Sequence, residues 1–199
     1  MHIDPRDRHF QGPTKHPSTY QFRQYNAGVK QVKHTRTAID VGAHIGIFTQ
    51  RYAQDFERVI AIEPVNIDYL RHNTQNYDNV ITYHNAVSNT TGDVVYLHNP
   101  SHNNENSGAW EITTTPTDIR VETVTIDELN IQDVDLIKID TQGVEYEVIQ
   151  GASNTIVECR PVIHIETRDD ELVQWLCGEY NYILQTTVVK DRILIPKRK

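Results

Sequence analysis

The chain has 199 residues and a formal net charge of −8, enough length for one domain with a sizeable core. Its only concentrated positive patch is Lys197-Arg198-Lys199, so phosphate-backbone binding is disfavoured and nucleic acid is not expected as a partner. No run approaches the ~18 apolar residues of a membrane span, and the two cysteines, Cys159 and Cys177, have neither zinc nor C-x-x-C spacing; a reducing cytoplasm fits.

Residues 1–36 are polar and broken by Pro5, Pro13 and Pro17, with no apolar core of a secretory signal. Tyr20, Phe22 and Tyr25 can dock a short helix around 18–33. This segment reads either as a lid over a site in the domain that follows, 37–199, or as a loosely ordered terminus over residues 1–15.

From Thr37 the pattern alternates. Strand 37–41 runs into a turn carrying Gly42 and Gly46, then helix 46–55, strand 58–63, helix 66–77 and strand 79–84. Short apolar strands alternating with helical stretches imply parallel βαβ units with right-handed crossovers. The two glycines permit a sharp turn and close approach of a ligand, and the N–H groups opening the next helix offer it polar partners. Such a strand–turn–helix marks the ligand crevice of open α/β sheets. G-x-x-x-G is neither the dinucleotide fingerprint nor a P-loop. The second strand ends in Glu63-Pro64, and an acid there accepts hydrogen bonds from ribose hydroxyls in folds of this type.

Asn85-Ala86 follows the third strand, where cofactor folds commonly meet an adenine; Asn85 is either its hydrogen-bond partner or a turn residue. A strand over 93–98 precedes a long polar loop, residues 99–108. Asn104, Asn106 and Ser107 of that loop, with Trp110 beyond it, suit a sugar or polyol, unless the loop is merely solvated and Trp110 turns into the core. Residues 120–126 alternate as an exposed or edge strand.

Strands at 134–140 and 161–166 carry Lys138 and Asp140 on one face, and His164 and Glu166 on one face of the other. Central parallel strands are almost wholly apolar, and buried charges are costly unless paired. Lys138 is therefore expected to pair with Glu166 or Asp140, and the cluster reads as catalytic or as an internal ion network. A helix over 143–157, another over 169–179, and a closing pair of strands at 180–189 and 192–196 complete the chain.

Asp40-x-Gly-x-x-x-Gly46 with Ile62-Glu63-Pro64 resembles the S-adenosylmethionine site of class I methyltransferases. Asp127-Glu128-Leu129, the run Asp135 to Glu145, Gly151-Ala152, and Arg160-Pro161 with Ile165-Glu166 resemble the FkbM family in particular. The resemblance implies an α/β, Rossmann-like sheet of order 3-2-1-4-5-7-6 with its last strand antiparallel and helices on both faces. It implies S-adenosylmethionine as cofactor and methylation of a hydroxyl on a sugar or related glycan acceptor. Asp40, Gly42, Ala43, His44, Gly46, Glu63, Pro64, Asn85 and Ala86 would hold the cofactor. Asp140 is the first candidate for the base that takes the hydroxyl proton, with His164 and Glu166 as alternates and Lys138 beside them. Gln142 stands where the family usually has Glu. It joins the candidate substrate residues and leaves metal dependence open; no ligand spacing demands a metal. The rival readings are a non-catalytic cofactor- or glycan-binding domain and an NAD-dependent oxidoreductase.

Overall fold

A computed structural model of the chain describes residues 1–5, 7, 10, 16–101 and 106–197. The core strand β1 (Thr37–Val41) is buried at all five positions, which is why it is short, mostly apolar and flanked by strands on both sides. It pairs in parallel with β2 (Arg58–Ile62), which pairs with β3 (Val80–Tyr83). The crossovers are α2 (Ile47–Asp55) and α3 (Ile67–Thr74).

On its other side β1 pairs with β8 (Val134–Ile139), β8 with β9 (Val162–Glu166), and β9 with the antiparallel β11 (Asp191–Pro196). β10 (Tyr182–Val188) closes the edge, giving the order β10-β11-β9-β8-β1-β2-β3. This is the expected order, read from the other end. The strands depart from β1 in both directions, so the crevice above its C-terminal end lies at the switch point of the sheet. A core of Ile39, Ile60, Ile137, Ile163, Val148 and Leu176 fills one face of the sheet. Tyr25 of α1 (Phe22–Val29) packs with Phe48, Tyr52 and Leu136 on the other.

Two expectations change. Residues 120–126 do not form an exposed or edge strand. β7 (Arg120–Val124) lies inside a second, four-stranded sheet, between β4 (Ala86–Val87) and β5 (Val94–His98), with β6 (Glu111–Thr113) outside β5. Val121, Thr123 and Val124 are buried there, so the alternation marks a strand with one wet face rather than an edge. The single helix expected over 143–157 is two, α4 (Glu145–Gln150) and α5 (Ser153–Cys159), broken at Gly151-Ala152. α6 (Asp170–Glu179) starts where Asp169 Oδ1 accepts from the Glu171 and Leu172 N–H groups at 2.9 and 3.0 Å.

Candidate active site

A cavity of about 420 Å³ opens above the C-terminal ends of β1, β2 and β8. That volume lies in the range of small-molecule pockets. Its lining includes Gly42, Ala43, His44, Glu63, Pro64, Asn85, Ala86, Asn106, Ser107, Trp110, Lys138, Asp140, Gln142 and Glu166, all singled out from the sequence. Asp40, Gly46 and His164 stand behind the wall, and Asn104 lies outside the described residues.

The glycine turn is less open than its sequence suggests. The Gly42 and Ala43 N–H groups donate to the Ile62 carbonyl at 3.0 and 3.1 Å, and the Gly46 N–H donates to Ala43 at 2.8 Å. Gly42 has φ +72°, and a Cβ there would sit 2.1 Å from the Asp140 carbonyl oxygen. Backbone approach between β1 and the end of β8 therefore dictates this glycine. Gly46, at φ +87°, would place a Cβ 2.9 Å from Leu70 Cδ1, so it serves the packing of α2 on α3.

Glu63 is bound into the same turn. Its Oε2 accepts from the His44 N–H at 2.8 Å, and its Oε1 accepts from the Val65 and Asn66 N–H groups at 2.9 and 2.8 Å. The carboxylate is 5% exposed and still faces the cavity. Oε1 also accepts from the Asn66 amide at 3.4 Å, so a ligand hydroxyl would find its acceptor in the second lone pair of Oε2, which among the described residues serves His44 alone. The Asn85 amide donates to the Glu122 carbonyl at 3.1 Å, as a loop residue would, while lining the cavity.

Over the crevice, three segments meet at Ser107. Its hydroxyl lies 2.6 Å from His44 Nε2 and donates to Asp7, and its carbonyl accepts from the Asn66 amide at 3.0 Å. Desolvation holds the His44 imidazole below its ordinary pKa, against the pull of Glu63 and Asp7. Asn106 accepts from the Asn99 amide through its carbonyl at 2.8 Å. Trp110 packs beside Ala86, Leu97 and Val121 and also lines the cavity. Phe10 and Tyr20 of the N-terminal segment also line the cavity, edge to face with centroids 5.2 Å apart. Burial, then the charges of Asp140 and Glu166, push the Tyr20 phenol upward.

The register of the sheet assembles the charges at the far end. Asp40 lies beside Lys138, Lys138 beside His164, and Asp191 beside Glu166. The Lys138 ammonium is 3.1 Å from Asp140 Oδ2, 3.4 Å from Asp40 Oδ1 and 4.8 Å from the centre of the Phe48 ring. Burial works against its charge, but Asp140 and Asp40 outweigh it and the pKa of the ammonium is raised. Asp40 Oδ2 accepts from the Thr49 hydroxyl at 2.7 Å.

Lys138 does not pair with Glu166. Of the two expected partners it takes Asp140, with the fully buried Asp40 as its second, while Glu166 lies 3.4 Å from Lys190. Burial first, then repulsion from Asp140 and Asp191, raises the Glu166 carboxyl above its ordinary value. His164 is wholly enclosed, with Nε2 2.6 Å from Asp191 Oδ1. It touches no cavity space and is unsuited to taking a substrate proton directly.

Sequence reasoning missed Asp191, Lys190 and Phe48, all of which line the cavity. Lys190-Asp191 reads as a polar hairpin turn, and Phe48 as a core position of α2. Among the described residues, no three His, Cys, Asp or Glu side chains converge as a metal-ligand set.

The family model described as "Methyltransferase FkbM domain" matches residues 40–184. A methyltransferase FkbM structure from Methylobacillus flagellatus KT superposes with TM-score 0.55 at 21% identity, over 80% of this chain and 43% of that one. A precorrin-6y C5,15-methyltransferase from Geobacter metallireducens GS-15 gives TM-score 0.53 at 13% identity, over 90% of each chain. A putative methyltransferase from Pseudomonas syringae gives 0.52 at 8% identity, over 88% and 97%. At these identities the structural likeness shows the fold. None of the curated proteins matches the chain.

Proposed function

The chain belongs to the methyltransferase FkbM family, and from that premise we propose that it methylates a hydroxyl of a sugar or similar small acceptor with S-adenosylmethionine as donor. The observation that carries this reading is the cavity itself. It joins a carboxyl at the end of β2 to a cluster of ionisable side chains at the ends of β8 and β9. The cofactor would supply an electrophilic methyl group on a sulfonium.

Gly42, Ala43, His44 and Glu63 would hold its amino-acid and ribose parts, and Asn85 with Ala86 and Trp110 would face its base. Methyl transfer depends on alignment and exclusion of water. Phe10 and Tyr20 line the crevice, which supports a lid role for the segment ahead of the domain 37–199. Gln142, at the rim, and Asn106 offer the acceptor hydrogen bonds.

An alcohol must also lose its proton as the bond forms. Asp140 is held by the Lys138 ammonium, 3.1 Å from its Oδ2, which ties the carboxylate into the ion pair. Glu166 stands apart from Lys138, and its carboxyl, raised first by burial, sits closer to the pKa a general base needs near neutral pH. We therefore assign the base to Glu166, and to Asp140 the orientation of the hydroxyl. His164 acts only through Asp191. The free thiols Cys159 and Cys177 accord with a reducing compartment such as the cytoplasm.

The test is S-adenosylhomocysteine release over a panel of hydroxylated acceptors. Release that depends on an acceptor and is lost in Glu166→Gln supports the assignment. Binding of S-adenosylmethionine without turnover on any acceptor favours a non-catalytic binding domain.

A further inference from the structure

We infer that Asp191 determines acceptor specificity, favouring acceptors with a cationic group near the methylated hydroxyl and rejecting anionic ones. The inference rests on the cavity being the methyl-transfer site, and it concerns a residue of the C-terminal hairpin rather than the methyltransferase motifs. Asp191 is 3% exposed and lines the cavity. Its register partner is Glu166, so it stands two strands beyond Asp140, on the side away from Glu63. At about 4.8 Å per strand, that puts it some 10 Å from the end of β8. A group held there belongs to the acceptor rather than to a ligand lying over β1 and β2.

The charge balance is uneven at this end. Among the described residues, the group formed by Asp40, Asp140, Glu166 and Asp191 has two ammonium groups within 4 Å of it, Lys138 and Lys190. Asp191's own hydrogen-bond partner is the His164 imidazole, whose Nδ1 is buried without a partner. A proton on that nitrogen would be an unmet buried donor. The tautomer that meets this geometry has its proton on Nε2 and donates it to Asp191. His164 also fixes the Asp191 carboxylate, which cannot swing away from an incoming anion. Burial first, and then repulsion from Asp140 and Asp191, raises the Glu166 carboxyl, the second cause being that expected where negative charge is in excess. One cation on the acceptor would relieve that excess, and one more anion would add to it.

The test uses three probes on one scaffold, glucosamine, glucose and glucuronate, added to protein loaded with S-adenosylhomocysteine and followed by ligand-observed NMR. The wild type should bind glucosamine about tenfold more tightly than glucuronate, as one unit charge at close range in a partly screened site predicts. Asp191→Asn should bring that ratio near one with S-adenosylhomocysteine affinity unchanged. Lys190→Gln leaves the His164 contact intact and should widen the ratio, so the test stands even if Asp191→Asn folds poorly. An unchanged ratio in both variants, a wild-type preference for glucuronate, or no binding of any probe overturns the assignment. Failure to load with S-adenosylhomocysteine would instead refute the methyltransferase site on which the inference rests.

Discussion

The His44 backbone N–H donates to Glu63 Oε2 at 2.8 Å, which makes the acid at the end of β2 a structural part of the glycine turn as well as a cavity wall. Together with the Val65 and Asn66 N–H groups, it leaves Glu63 serving three backbone donors. Replacing Glu63 by Ala should therefore destabilise the protein without ligand, by on the order of 3 kcal/mol, because buried N–H groups lose a charged acceptor. Glu63→Gln should cost less, since its amide oxygen keeps part of the pattern. Urea unfolding of the three proteins checks the ranking. Equal stabilities would mean these contacts do not hold the turn.

The two glycines should differ. Gly42→Ala puts a methyl into a carbonyl oxygen of a central strand end, and backbone cannot move aside. Gly46→Ala meets the tip of Leu70, which can rotate. Each bears about 1–2 kcal/mol for a left-handed residue. Gly42→Ala should lose clearly more than that, and a melting comparison with Gly46→Ala the less stable would refute the close approach of β1 to β8.

Lys138→Met should strand Asp40 and Asp140, with Asp40 fully buried. Breaking such a pair costs about 3–5 kcal/mol. Adding Asp40→Asn should recover a large part of it, whereas adding Glu166→Gln should recover little. A double-mutant cycle by chemical denaturation distinguishes these partners.

Glu166 contributes a pH dependence that its own replacement isolates. Its folded-state pKa lies above the ordinary carboxyl value, so the folded protein holds that proton more tightly than the unfolded chain. The stability it contributes is fully present below the unfolded pKa and is lost as pH rises through the folded one. Wild type should thus lose stability relative to Glu166→Gln across that interval. As the base, Glu166 must be ionised, so turnover should climb with pH over the same interval. Glu166→Gln should lower turnover by about 10²–10⁴-fold, as loss of acid–base catalysis does. A fall of that size in Asp140→Asn but not in Glu166→Gln would return the base to Asp140.

Much of the fold was legible because period and punctuation agree: β1 and the β2–α3 stretch are bounded by glycine, proline and polar residues, with buried strands between them. The order of the sheet came from resemblance, since no local pattern says which side of β1 takes β8. The site was legible where one segment carries it, as in the turn at Gly42. It was illegible where sheet register brings distant residues together. Asp191 reaches the cavity because the hairpin folds antiparallel onto β9, and Lys138 meets Asp40 because β8 lies beside β1. The strand at 120–124 was misplaced because one wet face looks alike on an edge and inside a small sheet.

The central claim is that this crevice binds S-adenosylmethionine. Calorimetric titration of S-adenosylmethionine, with NAD as control, tests it directly on wild type and on Glu63→Gln. The account predicts saturable binding of S-adenosylmethionine, none of NAD, and affinity in Glu63→Gln weakened by roughly tenfold, about 1.4 kcal/mol. Saturable binding of NAD, or S-adenosylmethionine binding that is absent or indifferent to Glu63, would contradict it.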